Sequence, residues 1–256
     1  MGAPDDLALL IDAARTAGAI ALSYWKADPK TWSKGEAGPV TEADIAANDH
    51  LHKTLQPARP DHGWLSEESD HDPKRLTAPH TFIVDPIDGT RAFIAGESAW
   101  AVSLAIAQHG QITAAAVFLP AMNKLYAAAR GQGATLNGAP IRASTTTDPD
   151  TATILAARPV MHADNWQGTP PAQRHYRPSL AYRACLVAEG RFDAMIALRP
   201  TWEWDIAAAT LIVTEAGGIA TTRQGAPLRF NTPEAHTNGC IASATPLHHN
   251  LLSRLA

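Results

Sequence analysis

The chain has 256 residues, 45% of them hydrophobic and 18% charged, with 21 Lys+Arg against 25 Asp+Glu and so a net charge of −4. Length over about 150 gives one to two domains, and this composition excludes a disordered chain. The absence of a basic domain or stripe argues against a nucleic-acid polymer or a membrane surface as partner.

Two cysteines, Cys185 and Cys240, cannot make a disulfide framework and suggest a reducing compartment. No stretch approaches about 18 apolar residues, so a cytoplasmic location is expected. In chain order, Leu7, Leu10, Ile11, Ala14, Ala17, Gly18, Ala21 and Leu22 recur at helical spacing. They predict a helix over 7–25 with Asp5 or Asp6 as N-cap. Pro29, Gly35, Gly38 and Pro39 punctuate a loop. Thr41, with Asp44 three residues on, comes close to a capping box and opens a helix to about Leu55.

At residue 81 the period changes. Residues 81–85 read as a short buried strand ending at Asp85 and stopped by Pro86, which cannot donate to a ladder. Residues 102–107, 112–118 and 125–129 predict a strand meander with turns at His109-Gly110 and Met122-Asn123, and Asn137-Gly138 is a hairpin signal. Weak periodicity over 140–178 places a domain boundary there, dividing 1–145 from 146–256. Then follow a helix over 179–189, a strand over 193–198 and an apolar-faced helix over 205–216 closed by Gly217-Gly218. Helices alternating with strands in both halves predict layered α/β or α+β architecture. Trp100 and Cys185 read as core, and the close pairs His50/His52 and His248/His249 as surface.

Three short segments carry chemistry: Trp64 to Ser69 with Glu67-Glu68, Asp85-Pro-Ile-Asp88-Gly89-Thr90, and Trp202-Glu-Trp-Asp205. In the second, Pro86 fixes φ, Gly89 allows a tight turn and Thr90 can cap the next helix. Asp85, Asp88 and the Ile87 carbonyl can then face one side. Two carboxylates about 4 Å apart repel by roughly 4 kcal/mol at an effective dielectric near 20, so a cation is the natural resolution. Oxygen ligands without Cys or His suit a hard ion such as Mg²⁺. The N–H groups of Gly89 and Thr90, at a helix N-terminus, suit phosphate oxygens. Each feature alone has a plainer reading: Asp-Pro and Asp-Gly as turn dipeptides, Glu67-Glu68 as a solvated pair, Asp205 as a helix N-cap. Together they point to phosphoryl transfer.

In order and spacing these segments resemble the inositol monophosphatase superfamily of Mg²⁺-dependent, lithium-sensitive phosphatases. Val40-Thr41-Glu42-Ala43-Asp44 and Trp204-Asp205 through Glu215-Ala216-Gly217-Gly218 extend the match over nearly the whole chain. The resemblance implies a layered αβαβα sandwich of the inositol monophosphatase or fructose-1,6-bisphosphatase type. Its first lobe would carry Glu67 and Asp85 to Thr90, and its second lobe Asp205. It implies two or three Mg²⁺ per site, with Li⁺ inhibitory. Glu67, Asp85 and the Ile87 carbonyl would hold the ion that activates water, and Asp85, Asp88 and Asp205 the ion that stabilises the leaving oxygen. Thr90, paired with Asp44, and Glu67 would orient the water, while Gly89 and Thr90 bind phosphate. Glu68 would stand behind them. Direct in-line attack by water is expected, with no Ser or Cys nucleophile.

Fold alone does not choose the phosphate ester, because the family covers inositol phosphates, adenosine 3′,5′-bisphosphate, fructose 1,6-bisphosphate and histidinol phosphate. Arg91 stands where inositol-type members usually carry Asn. No acid follows Asp193-Ala194, so a polyol acceptor is missing. Trp202 to Asp205 and Pro227 to Asn231 resemble bacterial adenosine 3′,5′-bisphosphate phosphatases, whereas Pro178-Ser179 departs from the usual Gly-Ser or Gly-Thr. Trp202, Trp204 or Phe230 would stack on a purine, and Arg199 or Arg229 would meet a second phosphate; the plainer reading makes the two tryptophans core or scaffold and Arg91 a solvated first-turn residue. The expected activity is therefore a 3′(2′),5′-bisphosphate nucleotidase, ahead of an inositol-1-phosphate or histidinol-phosphate phosphatase. A reading of another class is a regulatory module of the transcription machinery, against which stands the full set of ligands. Homodimers are common among such relatives, and no apolar patch in the sequence establishes one.

Overall fold

The computed structural model describes residues 3–35, 38–171 and 173–256. Helix α1 (Ala3–Tyr24) is followed by an antiparallel ribbon, β1 (Thr31–Ser33) and β2 (Pro39–Thr41), and by α2 (Glu42–Ala58). Helix α1 starts before the predicted position, so Asp5 and Asp6 lie in its first turn and neither is the cap. Over Asp5–Tyr24 it is long and apolar enough to cross a membrane, contrary to the expectation from sequence. Here its stripe of Leu10, Ala13, Ala14 and Ala17 is buried on a sheet. Gly18 lets it approach closely, since a Cβ there would lie 2.6 Å from the Phe118 ring. Helix α2 opens on the capping box read in the sequence. Thr41 Oγ1 accepts from the N–H groups of Ala43 and Asp44, and the Asp44 carboxylate accepts the Thr41 N–H at 2.8 Å.

The main sheet holds seven strands in chain order: β3 (His62–Ser66), β4 (His80–Asp88), β5 (Ala101–Gln108), β6 (Gln111–Leu119), β7 (Lys124–Ala129), β8 (Ala134–Leu136) and β9 (Ala139–Pro140). Only β3 and β4 pair in parallel. Strand β4 does not stop at Pro86. It runs to Asp88 across a slip in register, with Asp85 opposite Ser103 and Asp88 opposite Ala101. The extra residue is a bulge, where a proline without an N–H is tolerated and side chains are re-aimed. A short helix, α3 (Thr90–Ile94), follows it.

The second sheet orders its strands β11–β10–β12–β16–β14. Along the chain run β10 (Thr153–Ala156), β11 (Gln173–His175), α4 (Leu180–Ala188), β12 (Ala194–Ala197), β13 (Thr201–Trp202), α5 (Glu203–Glu215), β14 (Gly218–Thr221), β15 (His236–Thr237), β16 (Cys240–Ala244) and α6 (Thr245–Leu252). Helices α1 and α2 cover one face of the main sheet, α4 and α5 lie between the two sheets, and α6 covers the far face of the second. The result is the five-layer αβαβα order.

Strand alternation explains the layers. Phe82, Val84, Leu104 and Ile106 face α1 and α2, while Ile83, Ala101, Ala105 and Ala107 face α4 and α5. A helix between two sheets must be apolar all round, and α5 buries Ile206 through Val213 without a break. It starts at Glu203, so Asp205 lies inside its first turn and Trp202 is the N-cap. Gly217 adopts φ +85° just past its end, as the Gly-Gly signal requires. His248 is buried, bonded to Thr221 and Ser243, and is not the surface residue the sequence suggested.

Candidate metal and phosphate site

The bulge in β4 and the first turn of α5 bring Asp85, Asp88 and Asp205 together, with one carboxylate oxygen from each within 4.8 Å of the others. Asp85 and Asp88 are buried. Burial pushes Asp85 well above the usual carboxylate range, and Glu67, Asp88 and Asp205 push it further. Asp205 is raised too, first by burial, then by Asp88 and Glu67, with Arg199 and Arg183 acting against the shift. Such a group is under electrostatic stress that a cation relieves. Its donor set is all oxygen, which fits a hard divalent ion.

Asp88 has a second attachment. Its carboxylate accepts the Ser179 hydroxyl at 2.5 Å, the Ala181 N–H at 2.7 Å and the Leu180 N–H at 3.3 Å. It therefore sits on the N-terminus of α4, where unpaired N–H groups and the helix dipole favour an anion.

Glu67 follows β3, and burial raises it to about 7 against the pull of Lys34. Lys34, at the end of the β1–β2 ribbon, places its ammonium 3.2 Å from Glu67 and 2.7 Å from Glu68. Burial works against that charge, but the two glutamates outweigh it and hold the ammonium above its ordinary value. A cation already occupies the place beside Glu67 that the sequence assigned to a metal ion.

Thr90 donates its hydroxyl to Asp44 at 3.2 Å and to the Ile87 carbonyl at 3.1 Å, which joins the three residues read as water-positioning and metal-binding. Burial raises Asp44 to about 6, against the Thr41 hydrogen bonds. Thr90 is not the cap of α3; Gly89 is, at φ +98°. A Cβ at Gly89 would also meet the Ala99 carbonyl at 3.2 Å, so the turn requires glycine twice over.

Among the proposed substrate residues, Trp202 stacks on Trp204 with centroids 4.9 Å apart and planes at 9°. It stays 42% exposed, and His236, its partner across the β13–β15 pair, packs on it with centroids 5.9 Å apart at 70°. The Trp204 carbonyl accepts the Ser103 hydroxyl, and Ser103 lies opposite Asp85, so the Trp204 backbone lies beside the carboxylate strand, while its ring packs edge-on against His71 with centroids 5.7 Å apart. Arg91 is exposed on α3 and reaches over Gly38 of the ribbon.

Arg229 is elsewhere. It packs on Gly110, at the β5–β6 turn, seven residues along from Ser103. At about 3.3 Å per residue that is roughly 20 Å from the carboxylates, so Arg229 cannot meet a substrate phosphate there. Phe230 is buried, its N–H on the Gly110 carbonyl, and is no platform for a base. Arg75 holds this loop through Asn231 at 2.6 Å.

Sequence reasoning missed Lys34, Ser179 and Arg183. Ser179 carried a signal, as a serine just before a helical run often caps it, and its hydroxyl indeed accepts the Tyr182 N–H three residues on. Lys34 and Arg183 carried none, because their roles depend on what folds over them.

The model of the inositol monophosphatase family matches residues 5–256. A histidinol-phosphatase of Chlorobaculum parvum is 32% identical over 229 residues, 86% of this chain and 86% of that one. The Nus factor SuhB of Escherichia coli is 36% identical over 233 residues, 86% of this chain and 85% of its own length. The solved structure of an IMPase from Thermotoga maritima superposes with a TM-score of 0.82 at 27% identity, covering 97% of this chain and 96% of that one.

Proposed function

Because the chain belongs to the inositol monophosphatase family, we propose that it is a Mg²⁺-dependent phosphomonoesterase whose favoured substrate is adenosine 3′,5′-bisphosphate. The carrying observation is the exposed Trp202 ring, stacked on Trp204, the residue just before Asp205. A flat aromatic surface suits a base and offers nothing to a polyol, whose hydroxyls need paired polar groups.

Asp85, Asp88, Asp205, Glu67 and the Ile87 carbonyl would hold the ions. Bound Mg²⁺ would supply charge neutralisation, a water of lowered pKa and stabilisation of the leaving oxygen. The chain's own groups do the positioning. Thr90 Oγ1, whose own hydrogen is donated to Asp44, would accept a hydrogen bond from the attacking water and fix its direction. The Gly89 and Thr90 N–H groups hold the phosphate oxygens. The water oxygen bonds to phosphorus as the ester P–O bond breaks, releasing inorganic phosphate and the alcohol. Lys34 must give up Glu67 when an ion arrives, so the ribbon and the ion compete for one carboxylate.

A second reading, histidinol phosphate, is favoured by the Chlorobaculum parvum relative, since an imidazole could also lie on Trp202. The test is phosphate release from adenosine 3′,5′-bisphosphate, histidinol phosphate and inositol 1-phosphate at equal concentration, with and without Mg²⁺ and Li⁺. The nucleotide should give a kcat/KM about tenfold or more above the others. A faster polyol would reduce Trp202 to scaffold. No turnover on any ester would favour a binding role of the kind named for the SuhB relative.

A further inference from the structure

Glu203, inside the Trp202 to Asp205 motif, and Asn231, the last residue of the Pro227 to Asn231 motif, take no part in the chemistry above. The fold joins them. Glu203 opens α5 two residues before Asp205 and is fully buried. Its carboxylate accepts the Asn231 N–H at 2.5 Å, the Thr232 N–H at 2.8 Å and the Thr232 hydroxyl at 2.6 Å. Its own N–H donates to the Ala235 carbonyl at 2.9 Å. These bonds seat the first turn of α5 in the 231–235 loop.

The loop is held in turn from the edge of the main sheet. Arg75 lies in the turn Pro73–Thr77 between β3 and β4 and is 3% exposed. It donates from Nη1 to Asn231 Oδ1 at 2.6 Å, and from Nη2 to the carbonyls of Thr232 at 2.8 Å and Pro233 at 3.3 Å. The Asn231 amide returns a bond to the Arg75 carbonyl at 3.0 Å. Arg75 cannot retreat, since a Cβ at Gly63 of β3 would already lie 2.7 Å from its Cα. Among the described residues no carboxylate comes within 4.0 Å of Arg75. Asn231 therefore stands between two buried charges, accepting from the guanidinium and offering its N–H to the Glu203 carboxylate. Its φ of +59° is one that asparagine tolerates. Apolar packing would hold a loop without desolvating two charges, whereas a hydrogen-bonded relay fixes direction as well as distance.

The segment that carries Arg75 starts at the site, because Glu67 follows β3 at its head. Midway along it, His71 packs on the Trp204 ring. The stretch from Glu67 to Arg75 thus reaches both residues that precede Asp205, Trp204 directly and Glu203 through Asn231. Asp85 and Asp88 are placed by pairing with β5 and by the N-terminus of α4. Asp205 depends on where the first turn of α5 is seated.

We propose that Arg75, Asn231 and Glu203 are positioning residues for the ion held by Asp85, Asp88 and Asp205, a relay that pins the start of α5 to the edge of the main sheet and so sets the distance from Asp205 to the other two carboxylates. This rests on the metal-dependent phosphomonoesterase reading above and names what keeps its site in register.

The test uses the full chain. Asn231→Gly keeps the left-handed backbone and the N–H given to Glu203, but removes the acceptor for Arg75 and the return bond. Arg75→Lys keeps the charge and loses the fork. Neither changes the net charge, so the long-range attraction for a cation stays as it was. Mn²⁺ binding without ester, read by calorimetry, should weaken about tenfold or more in Asn231→Gly and by less in Arg75→Lys. Arg75→Gln separates the causes by sign: loss of a cation alone would tighten Mn²⁺, and loss of the relay loosens it. In turnover, the half-saturating Mg²⁺ concentration should rise in step, while KM for the ester at saturating Mg²⁺ stays within about twofold of wild type. Ser243→Ala, which removes a buried 2.8 Å bond to His248 under α6, is the control for stability alone. It should lower Tm and leave Mn²⁺ affinity within about twofold of wild type. An Mn²⁺ affinity within about twofold of wild type in Asn231→Gly and Arg75→Gln, whatever their Tm, would overturn the proposal and leave the relay a loop fastening. Should Arg75→Gln not fold, Asn231→Gly decides alone. If the wild type binds Mn²⁺ and hydrolyses no ester, the phosphatase reading fails and the binding series still decides the positioning role. A wild type that binds no Mn²⁺ refutes that role outright.

Discussion

Glu67 raised to about 7 and Asp44 raised to about 6 have a thermodynamic consequence. Both bind protons more tightly folded than unfolded, so between about pH 4 and pH 7 the native metal-free protein carries the extra protons. Their contribution is therefore fully present at low pH and is lost as pH rises through those values. A divalent ion reverses the loss, because it binds the ionised carboxylates of the native state. The Mg²⁺-induced rise in Tm should accordingly be larger at about pH 7.5 than at about pH 5, and Asp205→Asn should lose most of it. Equal rises at both pH values would contradict the assignment. His62, lowered to about 4 by burial, titrates alike with and without the ion and cancels from the difference. At this scale the acidic residues were legible in the sequence, because Asp-Pro-Ile-Asp-Gly-Thr states both its turn and its donors. Arg229 was misread because nearness in the sequence to a site motif gives no distance. Only the β5–β6 turn shows where that side chain goes.

Helix α5 joins the site to the core, with Asp205 in its first turn and Ala207, Ala208 and Ala209 buried between the sheets. Small residues there let the helix lie close to both layers. Ala208→Leu should overpack this contact and cost about 1–3 kcal/mol. At about 2–4 °C per kcal/mol that is a measurable fall in Tm by calorimetry, with turnover reduced as Asp205 is displaced. An undiminished Tm would mean the layer has slack that the buried alanines do not show. The capping box of α2 and the meander of β5, β6 and β7 were readable from Thr41, Asp44 and period-two alternation. The bulge in β4 was not. Proline predicts the end of a paired strand, and only the partner strand reveals that the chain slips one residue and continues. Likewise α5 read as a helix with one apolar face, whereas apolar residues all round meant two neighbouring layers.

Across the molecule, alternating helices and strands made a layered fold legible, but not the order of the layers. That order depends on contacts far apart in the chain, such as Asp88 with Ser179, Leu180 and Ala181, separated by 91 to 93 residues. No local pattern encodes them. The same separation governs the tempo of folding. Contacts that close so large a loop form late, after the main sheet and α4 have been built and docked, since the loop entropy must be overcome first. A metal ion that needs Asp88 and Asp205 together can recognise only a nearly finished molecule. In stopped-flow experiments Mg²⁺ should leave the refolding rate within about twofold and slow unfolding by about tenfold or more. Faster refolding with unaltered unfolding would place the carboxylates together before the two sheets meet. In the expected case the ion acts as a latch on the finished protein, lengthening its native lifetime without guiding its assembly.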